Sequence, residues 1–182
     1  MKHYFNAGIT TDHECFGYTE ALEKLQHGVK VLIREGSAAK NFETLISLLK
    51  EYPEQIMFCC DDKHPDNLIE SHINDHVKRA LKLGHDLYDV LRAASYNVVK
   101  HYDLPVGLLQ LGDNADFIEI DNLKDFNILK TYINGNVVAE KGKSFIKSVD
   151  SPIVNNFNCS LKQASDFKLK NESDRIRVIE CL

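Results

Sequence analysis

Two short apolar runs, residues 29–33 and 56–60, bracket an amphipathic segment at residues 41–52. This alternation constrains the chain more than any other feature. Strand, helix and strand at such spacing form a βαβ unit, and βαβ units build a parallel sheet. The first run, "VKVLIREGS", reads as a strand entering a loop. The second, "IMFCC", ends abruptly in Asp61 and Asp62, followed by "KHPD". Between them, Phe42, Leu45, Ile46, Leu48 and Leu49 recur at helical spacing until Pro53 stops the pattern. Upstream, Thr19 is an expected N-cap for "EALEKLQHG", with Gly28 as the C-terminal stop.

Two further helices are predicted after the paired aspartates. "LIESHINDHVKRALKLG" ends at Gly84, and "DLYDVLRAASYNVVKHY" ends before Leu104-Pro105. The pattern changes near Gly107. "GLLQLGDNADFIEID" and "NILKTYINGNVVAEKG" are β-rich, and Asn134-Gly135 between apolar pairs predicts a hairpin. These features divide the chain into an α/β part, residues 1–105, and a small β-rich part, residues 106–182. The segment from Lys147 is polar and irregular, and "RIRVIECL" at residues 175–182 reads as the start of a strand.

Composition excludes several classes. The 182 residues are 43% hydrophobic, enough for a sizeable core, and carry a formal charge of −5. An acidic chain without a basic run argues against general nucleic-acid binding. There is no apolar stretch long enough for a membrane span. The amino terminus shows no apolar signal core, so a cytoplasmic protein is expected. The five cysteines lack regular spacing, and the adjacent Cys59 and Cys60 do not form a CxxC zinc motif. Reduced thiols acting as small apolar filler are expected.

Three clusters carry candidate chemistry: "TTDHE" (residues 10–14), "REGS" (34–37) and "CCDDKHPD" (59–66). Each stands where a βα loop begins. In a parallel barrel such loops share one face, so His13, Glu35 and Asp61 can converge. His13 offers an imidazole nitrogen to a metal; its alternative is a surface or capping histidine. An ionised Asp61 can ligate a metal and move a proton; its alternative is a helix cap or a solvated loop. His64, before Pro65, is expected to shape its loop, and His101 to sit at a helix end. "EGSAAKN" has too few glycines for a phosphate loop.

The ordered set "AGITTDHE", "IREGSAAKN", "MFCCDDKHPD" and "DFIEIDNLKDFNILKTYINGNVV" resembles bacterial adenine deaminases of the amidohydrolase superfamily. The likeness runs from about Ala7 to Val138 and resumes weakly to Val178. It implies late βα units, strands six to eight, of an incomplete (β/α)8 amidohydrolase barrel, followed by the β-rich domain. It implies a divalent metal, Mn²⁺ first and Fe²⁺ or Zn²⁺ as alternatives, that turns adenine and water into hypoxanthine and ammonia. By motif position, His13 matches the histidine after the sixth strand and Asp61 the aspartate ending the eighth, with Asp62 the alternative register. Glu14 and Glu35 join Asp61 on the catalytic side; Asp62, His64, Arg34 and Ser37 fall on the substrate side, without individual roles.

Two departures are small: Cys60 stands where Thr or Ser is usual, and Ser71 replaces part of a Gly-His pair, leaving His72. A larger one is the absence of the family's His-x-His pair, glutamate and further histidine, which should precede "AGITTDHE". The expectation is a fragment, inactive alone, whose partner would be the upstream half of the same enzyme. When complete, the enzyme is expected to be a homo-oligomer. The alternative is a non-catalytic remnant or interaction subunit.

Overall fold

The computed structural model describes residues 6–170, 175 and 177–179. Residues 1–146 form one compact unit and residues 147–182 a second. The first unit holds two sheets. Strands β1 (Thr11–Asp12), β2 (Lys30–Arg34) and β3 (Ile56–Cys59) form a parallel sheet in that order. Val31 pairs with Ile56 and Ile33 with Phe58, so β2 and β3 run in the direction the helical spacing between them predicts. Ile56, Met57 and Phe58 are all buried, as expected of a parallel strand covered on both faces.

Helices join the strands. In α1 (Tyr18–Gln26), Ala21, Lys24 and Leu25 are buried at i, i+3 and i+4. Gly28 ends it, with φ at +82° and its N–H donating to the Leu25 carbonyl. The cap differs from expectation: Gly17, in extended backbone, precedes the helix, and Thr19 lies inside it. The segment after Asn41 begins as α2 (Phe42–Leu45) and tightens into a 3₁₀ helix (Ile46–Lys50), still burying Phe42, Leu45, Ile46, Leu48 and Leu49.

The single helix expected after Asp62 is instead two, α3 (Pro65–Glu70) and α4 (Ile73–Lys82). Ser71 and His72 between them are extended. Ser71 Oγ accepts from Lys63 Nζ, and Asn74 Oδ1 accepts from the His72 N–H; such local bonds compete with helix continuation. Next, α5 (Leu87–Leu91) passes through a π-helical turn (Arg92–Tyr96) into α6 (Asn97–Tyr102), with His101 in its last turn. The Asn97 amide, buried beneath that turn, donates to the carbonyls of Pro53 and Ile56 and ties the helix to the start of β3.

The antiparallel sheet takes the order β4 (Phe117–Ile120), β5 (Ile128–Ile133), β6 (Asn136–Glu140), β7 (Lys143–Ser144). Asn134 and Gly135 both have positive φ, as a type I′ turn between β5 and β6 requires. Phe117 stacks on its cross-strand partner Tyr132 at 4.3 Å. Phe126, in the β4–β5 connection, joins the buried cluster of the α/β layers. In the second unit the described residues are irregular apart from one 3₁₀ turn (Ala164–Phe167). The expected carboxyl-terminal strand falls partly outside the described residues, and Arg175 and residues 177–179 show no regular structure.

Candidate metal centre

The carboxyl ends of the three parallel strands bring His13, Glu14, Arg34 and Asp61 together. Asp12, the last residue of β1, is buried and ion-paired to Lys24 Nζ of α1 at 2.8 Å. Its other oxygen accepts the Glu14 N–H at 2.6 Å, turning the chain tightly around His13. Lys24 also meets Glu20 Oε1 at 2.6 Å and Cys15 Sγ at 3.4 Å. Burial alone would lower the Lys24 pKa, but its bonds to Asp12 and Glu20 outweigh that and raise it. Burial, assisted by Asp12, pushes the Cys15 thiol up to about 11.

Arg34 ends β2, and only 6% of its side chain is exposed. Its Nη1 donates to Asp61 Oδ2 at 2.5 Å and to Glu14 Oε1 at 3.0 Å; its Nη2 donates to Glu14 Oε2 at 2.7 Å. Burial would depress the guanidinium pKa, yet the bonds to Glu14 and Asp61 leave it raised. The Arg34 backbone is fixed as well, its N–H donating to the buried Asn41 side chain.

Asp61 follows β3 with φ at +48°, a left-handed conformation that aspartate tolerates better than most side chains. His13 Nε2 lies 3.9 Å from Asp61 Oδ1 and 3.3 Å from Glu14 Oε1. One ligand atom from each of His13, Glu14 and Asp61 lies within 4.8 Å of the others.

Glu35 does not join this group. Its carboxylate pairs with Arg79 of α4 at 2.5 Å and accepts the Phe42 N–H, so the acid beside His13 and Asp61 is Glu14. Neighbours along a strand project to opposite faces, which separates Glu35 from Arg34. Asp62, Ser37 and His64 instead latch two loops together. Asp62 Oδ1 accepts the Ser37 N–H; Ser37 Oγ accepts the His64 N–H and donates to Asn67. A side chain at Gly36 would collide with Asp62 Oδ1, so glycine permits the latch. Cys59 and Cys60 are half-buried rather than fully buried at the end of β3. Burial and the nearby Asp61 charge push Cys59 up to about 12, and burial raises Cys60. Both therefore stay protonated near neutral pH.

Sequence reasoning missed Asp12 and Lys24. The available signal was a lysine on the apolar face of α1, between Ala21 and Leu25. A separate cavity of about 660 Å³, walled by Val77, Leu91, Phe117 and Phe126, is largely apolar and away from these residues.

The sequence matches the amidohydrolase family over residues 2–138. The chain belongs to the amidohydrolase family. Adenine deaminases are among its relatives: that of Sulfurovum sp. is 55% identical over 93% of this chain, and that of Salinibacter ruber 52% over 98%. The adenine deaminase of Borreliella burgdorferi is 51% identical, also over 98%. This amidohydrolase chain spans about a third of the length of these relatives, 32% to 33%. Among solved structures, a β-aspartyl dipeptidase of Fervidobacterium islandicum AW-1 matches with a TM-score of 0.58 and 17% identity. That likeness covers 73% of this chain and 39% of the dipeptidase, and shows the fold alone.

Amidohydrolases use divalent metals, and the donors here suit one. An imidazole nitrogen and carboxylate oxygens are ligands a first-row divalent ion accepts. Arg34 engages Asp61 Oδ2 and both Glu14 oxygens, while Asp61 Oδ1 faces His13 Nε2. A catalytic centre normally takes at least three protein ligands.

Proposed function

We propose that this chain is the late-strand portion, strands six to eight, of an adenine deaminase barrel, with residues 106–182 as the β-rich part that follows. The observation that carries this reading is the convergence of His13 and Asp61 from the ends of β1 and β3. The reaction is replacement of the adenine C6 amine by the oxygen of water, giving hypoxanthine and ammonia. A divalent metal, Mn²⁺ foremost, would supply when bound a water acidified to near neutral pH.

This chain's residues do the rest. His13 and Asp61 would hold the metal. The Asp61 carboxylate also takes the proton of the attacking water and delivers it to the departing amine. Asp61 fits this task better than Asp62, whose carboxylate is committed to the Ser37 loop. The Ser37–His64 latch braces the substrate side of the site. The setting we propose is the cytoplasm, within a homo-oligomer once the remaining ligands are supplied by an upstream half.

Ammonia release from adenine with added Mn²⁺ tests this. The 182-residue chain alone should be silent. Mixing it with a half that carries the His-x-His pair should restore turnover, and Asp61→Asn should abolish it. Robust turnover by the chain alone would refute the two-ligand account. A folded, metal-loaded pair that never deaminates adenine would refute the substrate.

A further inference from the structure

Arg34 is nearly fully buried, with 6% of its side chain exposed. Its guanidinium spans the two strand-end loops, reaching Glu14 of the first with a two-pronged contact and Asp61 of the third with one. A planar fork suits such a contact, and it holds carboxylates in direction as well as distance. The contacts divide the oxygens of Asp61. Oδ2 is held by Arg34, and Oδ1 points toward His13 Nε2, 3.9 Å away. Two carboxylates against one guanidinium leave the cluster one net negative charge, so Arg34 does not cancel the pull on a cation.

We propose that Arg34 is a positioning residue that fixes Asp61 and Glu14 against His13, so that Asp61 presents one oxygen, Oδ1, to the metal. This assigns Arg34 to the metal side of the site rather than to substrate binding. It rests on the metal reading of His13 and Asp61 given above. Partners that orient metal ligands are worth about 10- to 100-fold in metal affinity. A second consequence separates orientation from charge. Were Arg34 only a competing cation, removing it would strengthen metal binding.

The test is Mn²⁺-induced broadening of the His13 ring-proton signals in NMR spectra of the chain, titrated high enough to populate a two-ligand site. Arg34→Gln should weaken Mn²⁺ binding by about 10- to 100-fold. Arg34→Lys keeps the charge without the fork and should remain weakened; it also carries the test if Arg34→Gln fails to fold. Full recovery in Arg34→Lys, or tighter binding in Arg34→Gln, would overturn the positioning role. So would unchanged affinity in Arg34→Gln while His13→Ala and Asp61→Asn abolish the broadening, a result that leaves the metal reading standing. No broadening at His13 in the unaltered chain would overturn the metal reading and the positioning role together.

Discussion

Acidification should destabilise this fold through one histidine. His76 of α4 has no exposed surface and packs against the rings of Phe42 and Phe58, at 5.9 and 5.4 Å. Neither ring nitrogen makes a well-formed hydrogen bond among the described residues. Burial pushes its pKa down to about 4, against the opposing pull of the His72 carbonyl and the Glu35 carboxylate. In the unfolded chain the same group titrates near 6.5. Between these values the unfolded state binds a proton that the folded state does not, so stability rises with pH across the window. The contribution is complete above 6.5 and is lost as pH falls toward 4. From pH 7 to pH 5 the loss is about 2 kcal/mol, from the linkage of about 1.4 kcal/mol per pH unit. Urea unfolding of the unaltered chain and of His76→Leu at both pH values isolates the effect, because other titrating groups are common to both. The unaltered chain should lose about 2 kcal/mol more than the variant. Equal losses, or a His76 pKa near 6.5 measured by NMR in the folded chain, would refute the reasoning.

Lys24→Met removes one partner of the buried Asp12–Lys24 ion pair and should cost about 3–5 kcal/mol in thermal or urea unfolding. Adding Asp12→Asn to that variant should recover part of the loss. Gly36→Ala forces Asp62 away from the Ser37 N–H and should cost about 0.5–1.5 kcal/mol, read from the same unfolding curves. Asn134→Val puts a β-branched residue at a φ of +50° and should cost about 1–2 kcal/mol, with Gly135→Ala compounding it.

The parallel strands were legible because Val31, Ile33, Ile56 and Phe58 lie in short apolar runs separated by one amphipathic helix. The Asn134-Gly135 turn was legible because few dipeptides accept two positive φ angles. The helix break at Ser71–His72 was not. Residues 68–84 carry a continuous helical pattern, and the interruption depends on Lys63 and Asn74 side chains reaching backbone and hydroxyl partners. Periodicity records which face is apolar and is insensitive to such local competition. The cap of α1 was misread for a related reason, since Thr19 has the right chemistry but the chain turns at Gly17.

The site shows the same division between position and pairing. That His13 and Asp61 share one edge follows from parallel strands, because every strand then delivers its carboxyl end to the same side. Which carboxylate joins them does not follow. Glu14 and Glu35 each stand one residue beyond His13 and Arg34, and only the side-chain alternation of β2, together with Arg79 on a distant helix, sends Glu35 away. Arg34 then selects Glu14, since its fork reaches both Glu14 oxygens and still has Nη1 for Asp61. The cation that joins Glu14 to Asp61 is therefore a protein side chain. The donors brought together there among the described residues, one imidazole and two carboxylates, are of the type a divalent ion accepts.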